Sequence, residues 1–390
     1  MPKVYIKTFG CQMNDRDSEA LAGIFLEKGW SLTAEPEDAD VILVNTCSVR
    51  EHAENRAISF LGSLKRLGVR GKRLVQKNSE NSLNANRYTL TAKPVIGLIG
   101  CMARNRGKEL FKKMNHIDLV CGPSSFDKVF EYVDKIKKEK VRVIDLEDRV
   151  RNEEFYHASF RVDAHHAQVV ISTGCSNYCS YCVVPFVRGN LRPRHPDDII
   201  REIERNLSLG IKRITLLGQN VNDYNYAGTN FVKLLEKITK IEELKEIDFV
   251  TSHPKNTSKE LFYLMASSPK IRKHLHLPFQ SGSNRILALM NRGYTREFYL
   301  NLVKDYKKIV KGSLSTDIIV GFPYEDEEDF NFTKQVLEEV RFRYAYIFKY
   351  SPRPNTKAYS LGDDVPEKEK ERRHAILLNL QKEISKSYDN

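Results

Sequence analysis

A chain of 390 residues with 41% hydrophobic and 29% charged side chains suits two compact domains, each large enough to bury its own core. No apolar run approaches the ~18 residues of a membrane-spanning helix, and Met1-Pro2-Lys3-Val4-Tyr5-Ile6 has none of the features of a secretory leader, so a cytoplasmic location without membrane attachment is expected. The net charge of +12 favours an acidic partner such as nucleic acid, with a merely solvated basic surface as the alternative, while seven cysteines, an odd number, point to thiols kept for metals.

Residues 4–8 read as a short apolar strand, and Leu21, Ile24 and Phe25 recur at helical spacing behind a cap expected within 15–18. Strands follow at 41–44, 95–99, 117–120 and 141–144, with a helical stretch over 50–67. Alternation of strand and helix predicts a parallel sheet covered by helices on both faces, a Rossmann-like α/β arrangement. The polar, aperiodic stretch 68–93 reads as a surface loop or insertion without chemistry. Residues 145–161, rich in charge and poor in aliphatics, read as an interdomain linker, which gives domains at 1–150 and 151–390. Beyond it, strands are expected at 168–172, 213–217, 247–251, 274–277, 314–320 and 344–348, each followed by a helical pattern. Six such units predict a partial (β/α)6 barrel, open on one side, with its chemistry at the carboxyl ends of the strands.

Cys175 follows the first of these strands directly, and Cys179 and Cys182 come four and three residues later. One loop can therefore wrap a small inorganic cluster. Three thiolates on a four-iron cluster leave one iron open, where the amino and carboxylate groups of S-adenosylmethionine (SAM) can bind and one electron can cleave the sulfonium. A structural zinc site or unrelated thiols are the alternatives; zinc ribbons use CxxC pairs and need a fourth ligand. Tyr181, between the last two cysteines, suits a ring packed on the SAM adenine, or ordinary core packing. In the first domain Cys11, Cys47 and Cys101 each follow a strand, so a parallel sheet would bring them to one edge as a second three-thiolate set. Cys121 also follows a strand, and a small buried apolar side chain is the reading adopted for it.

The stretches Thr8-Phe9-Gly10-Cys11-Gln12-Met13-Asn14, Asn45-Thr46-Cys47-Ser48-Val49-Arg50-Glu51 and Gly100-Cys101-Met102-Ala103 resemble the methylthiotransferase family. The second half adds Val184-Pro185-Phe186-Val187-Arg188-Gly189, Ser252-His253-Pro254, Met290-Asn291-Arg292 and Tyr350-Ser351-Pro352-Arg353-Pro354 in the family's order. Gln12-Met13-Asn14 and Val49-Arg50-Glu51 look like the MiaB type, which modifies tRNA.

The resemblance implies an N-terminal methylthiotransferase domain, a radical SAM core, two [4Fe-4S] clusters and SAM. The implied reaction is 2-methylthiolation of N6-isopentenyladenosine beside the tRNA anticodon, with sulfur held on an auxiliary cluster of Cys11, Cys47 and Cys101. The radical would arise at Cys175, Cys179 and Cys182. Gln219 and Asn220, Gln280 and Ser281, and Gly321 fall where such enzymes bind SAM, with ordinary turn and packing roles as the alternative. Arg188, Arg192 and Arg194 form a basic run suited to RNA phosphates, or a solvated one. An electron donor such as flavodoxin or ferredoxin and a monomeric state are expected. The chain stops where relatives continue into a TRAM β-barrel, so that module is expected to be absent, and the stretch before Cys101 is longer than usual. The alternatives are another branch of the family, acting on threonylcarbamoyl-adenosine or a ribosomal protein, and a non-catalytic iron-sulfur RNA-binding sensor.

Overall fold

Residues 41–46 and 95–100 are buried at every position, the pattern of central parallel strands covered on both faces. The computed structural model describes residues 1–48, 51–69, 93–158 and 160–389. Val49, Arg50 and residues 70–92 of the polar stretch therefore lie outside the described residues. Contacts divide the chain into two units, Met1–Val162 and Asp163–Asn390.

In the first unit the elements run β1 (Lys3–Phe9), α1 (Gln12–Glu27), β2 (Ser31–Leu32), β3 (Val41–Thr46), α2 (Glu51–Ser63), α3 (Lys65–Val69), β4 (Val95–Gly100), α4 (Cys101–Lys113), β5 (Leu119–Cys121), α5 (Val129–Glu139) and β6 (Val143–Asp145). The sheet has the order β2-β1-β3-β4-β5-β6 and is parallel throughout. Two expectations need correction. The first helix starts at Gln12, three residues before the expected cap, because Asn14 turns back to the Cys11 N–H at 3.4 Å. The segment 145–161 is no open linker: Phe155 and Tyr156 are both 3% exposed, and Arg151 pairs with buried Asp17 at 3.2 Å. Two aromatic anchors outweigh the charged composition around them.

The second unit carries β7 (His166–Val170), β8 (Ser172–Thr173), α6 (Val184–Arg188), β9 (Arg192–Pro193), α7 (Pro196–Ser208), β10 (Arg213–Leu217), β11 (Asn225–Tyr226), β12 (Thr229–Asn230), α8 (Phe231–Thr239) and β13 (Glu246–Phe249). It continues with α9 (Lys259–Ser267), β14 (His274–His276), α10 (Asn284–Leu289), α11 (Arg296–Ile309), β15 (Ser313–Val320), α12 (Glu327–Val340), β16 (Tyr344–Lys349) and α13 (Glu367–Asp389). Six parallel strands form an arc in two halves, β7-β10-β13 and β14-β15-β16, joined by a bridge between Ile247 and Ile271. This is the partial (β/α)6 barrel that the six-unit rhythm predicts. One apolar core, with Ile214, Leu216, Leu235, Phe262 and Leu302 among its members, fills the space between strands and helices. None of the described helices is long and apolar enough to cross a membrane.

Candidate functional site

In the first unit, register sets the geometry of the cysteines. Phe9 pairs with Thr46 and Thr46 with Gly100, so β1, β3 and β4 end level with one another. Cys47 and Cys101 come one residue later and Cys11 two, which releases all three thiols from the same edge of three adjacent strands. Cys11 caps α1 and Cys101 opens α4, positions where helix dipoles favour negative charge. Behind them lies a buried polar brace: Asn14 Nδ2 donates to Asn45 Oδ1 (3.1 Å), Asn45 Nδ2 to Ser18 Oγ (2.9 Å), and Thr46 Oγ1 to the Ile99 carbonyl (2.7 Å). Gly100 has φ +97°, and a Cβ there would stand 2.5 Å from Asn45 Oδ1. Only glycine turns the chain into α4 at that point. The Cys121 thiol instead donates to the carbonyls of Gly122 and Ser125, both at 3.4 Å, and burial, then nearby Asp145, pushes its pKa up.

In the second unit, antiparallel pairing of Ser172 with Pro193 and of Thr173 with Arg192 closes the base of the loop that carries Cys175, Cys179 and Cys182. At Gly174 φ is +74°, and Cys175 N–H reaches the Gly189 carbonyl at 3.1 Å. The three thiols sense one another: Cys182 is pushed up to about 12, first by burial and then by Cys179 and Cys175, and burial also raises Cys175. Thiols become thiolate ligands when a metal replaces their protons, and three on one short loop are a donor set that suits an iron cluster. Among the described residues, no three His, Cys, Asp or Glu side chains stand as close as a single bound ion requires. A cluster spreads its ligands around four irons instead of one.

The carboxyl ends of the second, third and fourth barrel strands provide the second half of the fit. Among the described residues, Gln219 Oε1, Asn220 Oδ1, Ser252 Oγ, His253 Nε2 and Gln280 Oε1 are buried without a hydrogen-bond partner. Buried polar atoms are almost always paired, so such a group on one rim marks a place for a polar ligand. His253 Nδ1 accepts from the Lys255 N–H at 3.2 Å, which leaves Nε2 carrying the hydrogen as a donor. Burial, reinforced by Arg292 and Lys255, holds its pKa down at about 2, so the ring stays neutral. Ser252 and His253 appear in the sequence only as a motif without a role; their strand-end position was the available signal.

Other site expectations fare differently. Ser281 faces Thr333 (Oγ to Oγ1, 3.4 Å) and supports the Ser283 N–H at 3.2 Å, so its hydroxyl is used within the loop. At Gly321 φ is +70°, and a Cβ would stand 2.3 Å from Lys370 Cγ on α13, so the fold itself also requires glycine there. Tyr181 packs with Ile286, Met290, Phe322 and Tyr350 and receives Arg292 Nη1 on its hydroxyl at 3.4 Å. Arg194 cannot serve RNA: it is 5% exposed, and its guanidinium is committed to Glu202 at 2.6 Å and the Val170 carbonyl. Arg188 is also 5% exposed, leaving Arg192 as the partly exposed member of the run.

The turn Met290-Asn291-Arg292 clamps the cysteine loop from below. Ser180 N–H donates to the Met290 carbonyl (2.9 Å), Asn291 Nδ2 to the Tyr178 carbonyl (2.9 Å), and Arg292 Nη1 to Cys179 Sγ (3.3 Å). No sequence signal connects residues this far apart.

Two family models match the chain: "Radical SAM superfamily" over residues 169–337 and "Uncharacterized protein family UPF0004" over residues 3–122. A tRNA-2-methylthio-N(6)-dimethylallyladenosine synthase of Methylacidiphilum infernorum is 42% identical over 99% of this chain and 81% of its own length. One from Acetivibrio thermocellus is 42% identical over 100% of this chain and 78% of its own length. Among solved structures, the radical S-adenosylmethionine methyltransferase TsrM of Kitasatospora setae, with cobalamin and a [4Fe-4S] cluster bound, shares the fold. It matches with a TM-score of 0.63 at 14% identity, over 92% of this chain and 74% of that one.

Proposed function

Because the chain belongs to the tRNA-2-methylthio-N(6)-dimethylallyladenosine synthases, a family of radical SAM methylthiotransferases, we propose that its two cysteine sets divide the work. Cys175, Cys179 and Cys182 hold the radical SAM cluster, and Cys11, Cys47 and Cys101 the auxiliary one. The enzyme uses [4Fe-4S] clusters and SAM to place a methylthio group on C2 of N(6)-dimethylallyladenosine in tRNA. The adenine C2 hydrogen is beyond any side-chain base, and the bound groups supply the radical that activates this carbon and the sulfur that it receives.

The protein's own residues position and exclude. The observation that carries the reading is the level release of three thiols from β1, β3 and β4 in a chain that also places three thiols on a barrel loop. At the barrel rim the orphaned amide oxygens of Gln219, Asn220 and Gln280 suit the ammonium and ribose hydroxyls of SAM, and the donors Ser252 and His253 suit its carboxylate. Reciprocal bonds between Asn222 and His253, at 2.9 Å each, hold two of these loops in one arrangement. The charge of +12 matches a tRNA, with Arg192 the member of the basic run placed to meet a phosphate. A flavodoxin or ferredoxin as electron donor, a monomeric working state and a cytoplasmic location complete the proposal.

The test uses the reconstituted full chain with SAM, a reductant and tRNA bearing N(6)-dimethylallyladenosine, and reads 5′-deoxyadenosine and nucleosides by mass spectrometry. Cys179→Ala is expected to lose both products, and Cys47→Ala to keep 5′-deoxyadenosine while losing the methylthio nucleoside. Methylthio product from Cys47→Ala would remove the auxiliary assignment.

A further inference from the structure

Arg292 is 4% exposed, and each nitrogen of its guanidinium has a partner. Nε donates to Tyr294 Oη (3.1 Å), Nη2 to the Pro278 carbonyl (2.8 Å), and Nη1 to Tyr181 Oη (3.4 Å) and Cys179 Sγ (3.3 Å). None of these partners is a carboxylate. A buried cation without an anion is costly, and of these four groups the thiol is the one that becomes an anion when it ligates iron. An arginine side chain stays protonated in proteins, so Arg292 is a fixed cation at this position. The Met290 and Asn291 contacts with the cysteine loop fix the turn that carries it.

We propose that Arg292 is a positioning residue that raises the reduction potential of the radical SAM cluster by a charge-assisted hydrogen bond to the Cys179 sulfur. The inference rests on Cys175, Cys179 and Cys182 being that cluster's ligands. One-electron reduction adds a negative charge to the cluster, and a nearby cation together with an N–H donor at a ligand sulfur stabilises the reduced form. Arg292 thereby couples the β14 end of the barrel, through the Pro278 carbonyl, to the ease with which the electron arrives.

The experiment follows reduction of the full-length reconstituted chain by EPR at stepped potentials, reading the signal that changes when SAM is added. Relative to the native protein, Arg292→Met should lower the ratio of reduced to oxidised cluster at fixed potential about tenfold, which for a one-electron couple is a fall of about 59 mV. Arg292→Lys, which keeps the charge but loses the fork, should fall by less. Native potentials in the variants that retain iron would overturn the proposal. A second reading needs no variant: native protein labelled with guanidino-15N arginine should show a 15N coupling to the reduced cluster in pulsed EPR, and its absence would overturn the proposal equally. A SAM-responsive cluster persisting in Cys179→Ala would instead overturn the ligand assignment beneath it.

Discussion

Two buried arginines, Arg194 and Arg292, show how a partner decides a role. Arg194 meets Glu202 at 2.6 Å and becomes part of the scaffold, whereas Arg292 meets the Cys179 thiol at 3.3 Å, which is what its proposed role rests on. Both are basic residues near a family motif in the sequence, which carries no information about what each will face. His253 makes a measurable claim at the same scale. Its folded pKa is held down at about 2 by burial and by Arg292 and Lys255, against roughly 6.5 for an unfolded histidine. The unfolded chain therefore takes up the proton first, and the stability that this residue contributes above pH ~6.5 is lost progressively as pH falls below that value. The denaturant midpoint of the apo-protein should fall between pH 7 and pH 5, and His253→Gln should flatten that fall. An unchanged pH slope in His253→Gln would contradict the neutral, buried ring.

Among the elements, the loop between β8 and β9 is tightly constrained at its first turn. Gly174 combines φ +74° with a position where a Cβ would stand 2.1 Å from the Asn190 carbonyl oxygen, so a side chain there meets backbone that cannot give way. Gly174→Ala is expected to cost about 1–3 kcal/mol and to lower iron uptake at the neighbouring cysteines. Thermal unfolding and iron content measure both, and a variant with native values would contradict the steric constraint at Gly174. The main strands and the cysteines at their ends were legible in the sequence because apolar runs and turn-adjacent thiols are local signals. The early start of α1 was not, since its cap depends on Asn14 folding back, nor was β2, at two residues too short to show a period. Phe155 and Tyr156 were hidden by the charged residues around them, and the orphaned atoms of Ser252 and His253 become visible only when three strand ends are drawn together.

At the scale of the whole molecule, one unit presents three thiols along a sheet edge and the other presents three in a single loop. The division matches the chemistry: an unactivated C–H bond needs a radical, and a methylthio product needs a sulfur source separate from the SAM that is cleaved to make that radical. A basic chain of net charge +12 provides the electrostatic attraction by which a tRNA would be gathered before either reaction. The most direct test of this two-site arrangement is Mössbauer quantification, with iron and sulfide content, of the anaerobically reconstituted full chain. Two [4Fe-4S] clusters per native chain are expected, falling to one in Cys47→Ala and to one in Cys179→Ala. A native chain that holds a single cluster, or variants that keep both, would contradict it.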